Sequence, residues 1–431
     1  MEDYHSTRIV DRDELDGVSL PGEVQLALDD LAGSVREGLL ALSVGVGLKV
    51  MEELLEEELR TLVGPKGKHD PERTAVRHGS RSGQVVLGGR KVQVRRPRAR
   101  TLEGSELALR TYAHFASDDL LSERTVETML AGLSTRRHRS CLEPTQTEDL
   151  SVSRSAVSRR FVRRSRRMLA ELMARPLPDD LLCLMLDGIV LAGSTCLVAL
   201  GIRADGTKIP LGIWEGASEN AAVCRRALAD LAERGLTAEH GLLVVIDGSK
   251  ALRKAVADTL GAKAAIQRCR RHKQENVLGH LPEAERPWVK RKLREVWALA
   301  DAEAAERRLH ELARALESKR PGAAASVREG LRETLTLTRL GIRADSALAR
   351  TLQTTNPIES MLSVCRERAR NVKRWRGGEM ALRWTAAGML DAERSFRRVK
   401  GFRDLPKLQA ALRAHAVDVD RKEVEDFEIA A

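Results

Sequence analysis

Two short apolar runs, each followed by Asp-Gly, constrain this chain more than any other feature: Leu181-Leu-Cys-Leu-Met-Leu186 before Asp187, and Leu242-Leu-Val-Val-Ile246 before Asp247. A continuous run of five or six apolar residues closed by a turn signal reads as a strand buried on both faces. Between the two runs, residues 196–203 and 207–214 read as further strands, and residues 219–234 carry apolar side chains at helical spacing. If the two Asp-ended strands are neighbours, their carboxylates meet at one edge of the sheet and repel unless a divalent cation lies between them. Hard oxygen ligands on a sheet edge point to magnesium-dependent phosphoryl chemistry. Taken singly, each aspartate reads as a turn former, because Asp-Gly is the commonest tight-turn dipeptide. The pair after matched strands brings the ligand reading level with that one.

The chain has 431 residues, enough for two or three domains with real cores. Lysine and arginine total 73 against 62 acids, a net charge of +11, so a polyanionic partner is expected, nucleic acid ahead of an anionic membrane surface. No apolar stretch approaches the roughly twenty residues of a membrane span, and Met1-Glu-Asp-Tyr-His5 lacks the basic and apolar regions of a signal peptide. The expectation is a cytoplasmic, nucleoid-associated protein without membrane contact. The six cysteines, Cys141, Cys183, Cys196, Cys224, Cys269 and Cys365, form no Cys-x-x-Cys pair, which argues against a disulfide framework and a zinc ribbon.

Residues 22–42 and 48–63 read as an amphipathic helix pair, the second with an acidic face at Glu52–Glu58. Gly88-Gly89 between residues 84–87 and 90–94 is the two-residue signal of a β-hairpin. From Arg81 to Arg100 there are seven lysines or arginines and no acid, with Pro97 ending the run in an extended stretch, so the ribbon reads either as a solvated basic surface or as an arm tracking DNA phosphates. Residues 119–133 read as a helix; Ser134 or Thr135 can cap a second through about residue 142, and Ser153 a third from Arg154 to about Met173. Arg154, Arg159, Arg160, Arg163, Arg164, Arg166 and Arg167 surround the apolar stripe of this third helix without an intervening acid. With Ser155 and Ser158 near its start, it reads as a recognition helix in a helix-turn-helix, with Arg154, Ser155, Ser158 and Arg159 as DNA contacts; a basic helix that packs locally is the alternative. Pro176 and Pro178 mark a boundary.

After the second aspartate, residues 264–267 suggest a short strand running into Arg268-Cys-Arg-Arg-His-Lys273. Cys269 and His272 resemble half a zinc site, but no second half is present, so the pair reads as structural or backbone-positioning. From Trp288 to about Leu340 the text is helical, interrupted at Pro321-Gly322. In Thr354-Thr-Asn-Pro-Ile-Glu-Ser360, Asn356 reads as an N-cap with Pro357 first in the helix and Glu359 at N3, so capping alone accounts for this glutamate. The helix that follows carries Arg366, Arg368, Arg370, Lys373, Arg374 and Arg376 against one acid, Glu367.

Leu186-Asp-Gly188, Val245-Ile-Asp-Gly248, Gln267-Arg-Cys-Arg-Arg-His-Lys273, Thr355-Asn-Pro-Ile-Glu-Ser360, Trp375 and Trp384 together give the chain a family resemblance. It resembles bacterial insertion-sequence transposases of the Mutator type, which are DDE transposases with a ribonuclease-H-like core. The likeness spans most of residues 60 to 410. It implies that Asp187, Asp247 and Glu359 are the catalytic and metal-binding triad, that Arg366 is the basic residue expected seven positions on, and that Cys269 and His272 are the family's Cys-x-x-His signature, of unassigned role. The first fifty residues carry no motif of this family.

The resemblance further implies two Mg²⁺ ions, replaceable by Mn²⁺, on Asp187, Asp247 and Glu359, with water and then a transposon 3′-hydroxyl as nucleophile. Arg370 and Lys373 join Arg366 as expected DNA contacts. Duplex DNA, both transposon ends and target, is the expected partner, bound by a homodimer. The expected fold is an α/β ribonuclease-H-like core with an all-α insertion, preceded by a mainly α DNA-binding region with a helix-turn-helix and a β-hairpin. The corresponding boundaries are an N-terminal helical region over 1–74, a basic hairpin over 75–102, the helix-turn-helix over 103–177, the core over 178–273 and 351–400 around the insertion at 274–350, and a tail over 401–431. A ribonuclease-H-like structure-specific nuclease and a non-catalytic, transposase-derived DNA-binding regulator are the competing readings.

Overall fold

A computed structural model of the chain describes residues 46–68, 73–87, 90–138, 153–191, 193–216 and 221–430. It is a mixed α/β protein in two compact units, one from residues up to Thr125 and Ser134–Arg160, the other from Val126–Leu133 and Phe161–Ala431.

In the first unit, helix α1 (46–63) buries Met51, Leu55, Leu59 and Val63, one residue per helical turn. This stripe packs on the long hairpin of β1 (Ala75–Leu87) and β2 (Arg90–Thr101), meeting Val85 and Val94 at one end and Ala75 and Ala99 at the other. The strands are much longer than the sequence pattern suggested, and β2 runs through Pro97, which pairs with Ser80 just after a bulge in β1. A short β3 (Glu106–Leu107) adds to β2, and α2 (Arg110–Phe115) follows, its first amides Arg110 and Thr111 donating to the Glu58 carboxylate at 2.6 and 2.9 Å. The helix expected over 22–42, the Gly88-Gly89 turn and Cys141 lie outside the described residues.

Helix α3 (Asp118–Leu130) is present, but Ser134 and Thr135 do not cap a helix in the described part: residues 135–138 are a turn, in which the Arg137 amide donates to Ser134 O at 3.0 Å. The remainder of that expected helix, to residue 142, lies outside the described residues. Helix α4 (Arg154–Ala174) starts where expected, with the Ala156 amide donating to Ser153 Oγ at 3.3 Å.

The second unit is built on a five-stranded sheet in the order β6-β5-β4-β7-β8. Its strands are β4 (Leu181–Leu191), β5 (Ser194–Arg203), β6 (Lys208–Glu215), β7 (Leu242–Ile246) and β8 (Ala264–Arg268). β4, β5 and β6 are antiparallel neighbours, whereas β4, β7 and β8 run parallel. Both faces are covered, which is why the strands read as unbroken apolar runs. Leu184, Leu186, Val244 and Ile246 pack against α5 (Ala221–Glu233) and α6 (Lys250–Leu260). Cys183, Met185, Leu243 and Val245 face the other way, toward α12 (Ala347–Leu352), α13 (Asn356–Ala369), α14 (Gly378–Arg394) and α15 (Leu405–Ala430).

The Asp187-Gly188 turn is corrected by the structure. β4 continues through both residues to Leu191, because β5 supplies backbone partners along the whole stretch, Asp187 lying opposite Val198.

Between β8 and α12 the chain forms α7 (Arg270–Gly279), α8 (Arg286–Trp297), α9 (Ala302–Glu317), α10 (Pro321–Arg328) and a short α11 (Thr336–Arg339). These helices enclose their own apolar core of Val277, Val289, Leu293, Leu309, Leu316 and Val327 among others. Buried cations at the end of β8 and the start of α7 brace these helices. Arg268 donates to Glu329 O at 2.9 Å, Arg270 to Thr334 O and Gln353 Oε1, each at 2.8 Å, and Lys273 to the carbonyls of Ser326 and Glu329.

Candidate active site

β4 pairs with β7 at an offset of sixty residues, Cys183 opposite Leu243 and Met185 opposite Val245, and the two aspartates are separated by the same interval (247 − 187 = 60). Continued along the strands, that register sets Asp187 and Asp247 side by side. The alternation of side chains puts Asp187 with Met185 and Ile189 on the face covered by α13. β7 ends at Ile246, so its ladder with β4 does not extend to this level. Asp187 Oδ1 accepts from the Gly188 amide at 2.8 Å, and Asp247 Oδ1 from the Ser249 amide at 3.0 Å. The second contact is an Asx turn leading into α6, which Ser249 caps through Leu252 N. Gly248 has φ +113°, and a Cβ there would run into the buried Arg268 guanidinium, so the turn after Asp247 requires glycine twice over.

Glu359 comes from the first turn of α13, which Ile358, Met361, Leu362 and Cys365 bind to the same face of the sheet. The N-cap is Thr355 rather than Asn356, so Glu359 stands one position beyond N3, and its carboxylate accepts side-chain donors, not the backbone amide of a capping box. The capping account of this residue therefore fails. Thr355 Oγ1 donates to Glu359 Oε1 at 2.7 Å, and Arg271 Nη1 to Oε2 at 3.1 Å. His272 Nε2 lies 3.8 Å from Oε1. Thr355 Oγ1 is also 3.4 Å from both Cys269 Sγ and His272 Nδ1.

Charge ties these groups together. Burial pushes the Asp187 carboxyl up to about 6; the Gly188 amide and His272 oppose that, while the like charges of Asp247 and Glu359 reinforce it. His272 is raised to about 9, first by its hydrogen bond to Cys269 and then by the negative charge of Cys269, Asp187 and Glu359, against the effect of burial. Burial pushes the Cys269 thiol up, but its hydrogen bonds with His272 and Thr355 outweigh this and leave it lowered. Asp187, Asp247, Glu359, Cys269 and His272 thus share one end of the sheet. Among the described residues no three His, Cys, Asp or Glu side chains are arranged as a formed metal-ligand set, and both Glu359 oxygens are engaged by Thr355 and Arg271. Sequence reasoning missed both of those partners: Arg271 was one cation in a basic run, and Thr355 was passed over for Asn356 as the cap.

The DNA-contact candidates fall in two groups. Arg154, Ser155, Ser158 and Arg159 are exposed on the first turns of α4, and neither arginine forms an ion pair among the described residues. Further along α4 the reading of a helix ringed by available arginines is corrected. Arg160 is buried, Arg166 Nε reaches Glu379 at 2.6 Å, and Arg167 Nε reaches Glu171 at 2.9 Å, while Phe161 packs on Trp384 with ring centroids 4.6 Å apart. The second group, Arg366, Arg370 and Lys373 with Arg374 and Arg376, is exposed from the end of α13 onward and unpaired among the described residues. No helix among the described residues is long and apolar enough to cross a membrane.

The sequence pattern of the family described as "Transposase, Mutator family" matches residues 29–398. The chain is 27% identical over 348 residues to the transposase for insertion sequence element ISRM5 of Rhizobium meliloti, covering 78% of this chain and 84% of that protein. It is 33% identical over 221 residues to the transposase for IS6120 of Mycolicibacterium smegmatis (51% of this chain, 65% of that protein), and 32% identical over 177 residues to the transposase for IST2 of Acidithiobacillus ferrooxidans (41% and 58%). The matched segment thus spans less than two thirds of the length of these last two relatives. With the family pattern running through most of the sequence, sheet, inserted helices and carboxylate end included, this chain belongs to the Mutator family of transposases.

Proposed function

We propose that this chain is a DDE transposase that binds the terminal inverted repeats of its insertion sequence and carries out Mg²⁺-dependent strand cleavage and strand transfer. The observation that carries the reading is the register of β4 and β7, which if continued past Met185 and Val245 would level Asp187 with Asp247 on the face against which α13 packs. The sheet order, three antiparallel strands continued by two parallel ones, supports a ribonuclease-H-like core. The donor set fits a hard divalent cation: three carboxylates offering only oxygen, with Asp247 and Glu359 close enough to raise the proton affinity of Asp187.

Asp187, Asp247 and Glu359 would hold Mg²⁺ or Mn²⁺, Glu359 after release of Arg271. Such ions, when bound, activate the attacking oxygen and stabilise the leaving one. The chain's own contribution is placement. β4 and the turn after β7 fix the aspartates, Thr355 tethers the glutamate, and Arg366, Arg370, Lys373, Arg374 and Arg376 offer a grip for the phosphates of a DNA end. Arg154, Ser155, Ser158 and Arg159 supply the repeat-reading surface, with α3, the turn and α4 as parts of a helix-turn-helix. A homodimer on DNA completes the reading.

A strand-transfer assay tests it, using the full chain, duplexes carrying the repeats that flank its gene, and Mg²⁺. Joined products that depend on a free 3′-hydroxyl are expected. Repeat binding without any cutting or joining, in Mg²⁺ or Mn²⁺, would sink the proposal.

A further inference from the structure

We infer that Cys269 and His272, acting through the Thr355 hydroxyl, form a positioning network for the Glu359 carboxylate. This gives the Cys-x-x-His pair a role, and it rests on the proposed part of Glu359 in the active site.

The hydroxyl has one hydrogen and two lone pairs. An ionised carboxylate can only accept, and Glu359 Oε1 at 2.7 Å is the shortest of the three contacts, so the hydrogen goes there. One lone pair remains for the His272 Nδ1–H at 3.4 Å; Cys269 Sγ, also at 3.4 Å, lies on the donor side of the hydroxyl and is itself hydrogen-bonded to His272. Thr355 and Cys269 are both wholly buried, so water does not compete for these bonds.

The backbone explains why the network stands here. Cys269 is the N-cap of α7, and its amide donates to Ile246 O at 2.7 Å, the carbonyl just before Asp247. The next amide, Arg270, donates to Gln353 O at 2.9 Å, at the end of α12. The start of α7 is therefore pinned between the strand that delivers Asp247 and the segment that delivers Thr355. His272 follows Cys269 by three residues and so lies on the same side of α7. Glu359 follows Thr355 by four, its amide donating to Thr355 O at 2.9 Å, which stacks the carboxylate over the hydroxyl. Arg271, by contrast, reaches Oε2 from solvent, with 53% of its side chain exposed. Oε1 has a buried tether and Oε2 an exposed one, so release of the arginine frees one oxygen while the other stays anchored.

The test uses the full chain with Thr355→Val, which removes the hydroxyl and keeps the shape, and Thr355→Ser, which restores it. Mn²⁺ binding is followed by electron paramagnetic resonance without DNA, and cleavage of a repeat-bearing duplex is followed for kcat and KM. Thr355→Val should weaken Mn²⁺ binding and lower kcat by about 10- to 100-fold with KM for DNA unchanged, the usual loss when a hydrogen-bond partner of a metal ligand is removed. Thr355→Ser should recover to within about threefold of the parent. Cys269→Ala should shift both readouts in the same direction, and it carries the test if the valine variant does not fold. Parental behaviour of both the valine and alanine variants would overturn the inference. So would a serine variant as impaired as the valine one, because the methyl packing would then be what matters. A parent chain that neither binds Mn²⁺ nor cleaves would overturn the active-site reading itself, and the network with it.

Discussion

Asp187 within β4 and Asp247, the first residue past the end of β7, come level when the sixty-residue register of these parallel strands is continued beyond its last pair, Met185 with Val245. One residue of slip would send either carboxylate to the α5 and α6 face, away from Glu359. Asp187→Asn and Asp247→Asn should each abolish cleavage and strand transfer, a loss of at least about 10³-fold, while repeat affinity stays within about twofold, because the amide keeps the shape but not the charge that holds a cation. Gel-shift and cleavage assays on the same preparations check this. Glu359→Gln should behave alike, with α13 intact by circular dichroism. Normal cutting by that variant would remove Glu359 from the site.

The raised Asp187 carboxyl makes a pH prediction. Its folded value of about 6 lies above the ordinary 3.8, so folding favours the protonated form. The stability this group contributes is fully present below about pH 4 and is lost as pH rises through about 6. In metal-free protein, Asp187→Asn should therefore melt a few degrees higher than the parent, roughly 3–6 °C, above pH 7, with the difference closing toward pH 4. Divalent binding should show the mirror image and weaken as pH falls below 6, since the cation must displace the proton. A flat profile in both calorimetry and Mn²⁺ titration would contradict the placement of Asp187 among the other carboxylates.

Arg154 and Arg159 are exposed and unpaired, unlike the arginines later in α4. Replacing both with alanine should weaken repeat binding by about 1–3 kcal/mol for each base edge that an arginine reads, and random-sequence binding by less. The salt dependence of repeat binding should also become shallower. Equal weakening on both DNAs would make α4 a phosphate grip and not a reader. Arg166→Ala, which breaks the Glu379 pair, should change the melting point little, because that pair is solvent-exposed.

Lys273 is fully buried and donates to the carbonyls of Ser326 and Glu329. Lys273→Met fills the space but takes the ammonium from the buried Ser326 carbonyl, a loss of about 1–3 kcal/mol, while Glu329 O keeps its bond from Arg268. A drop in melting temperature on the order of 5 °C or more is expected. Hydrogen exchange should rise first around α10, where the broken bonds end. An unchanged melting point would mean that water or a neighbouring donor replaces the ammonium.

The local text determined much of this protein. The apolar runs before Asp187 and Asp247 are strands, the stretch from Trp288 onward is helical with its own core, and Thr355-Asn-Pro-Ile-Glu359 opens a helix. Each is legible because buried strands, amphipathic helices and caps depend on residues within a few positions of one another. Other features depended on partners far along the chain. Asp187-Gly188 looks like a turn until β5 supplies its ladder. In Arg268–Lys273 the sequence shows a basic run, yet Arg268, Arg270 and Lys273 are buried and Arg271 exposed, because carbonyls some sixty residues later in the chain stand ready for three of them. The arginines of α4 divide into available and occupied according to Glu171 and Glu379. Composition and spacing determined which groups this chain carries and on which elements they ride; only the tertiary structure decided which cations are spent on carbonyls and which carboxylates face each other, because a charged side chain's state is set by the nearest partner in space and not by its neighbours in sequence.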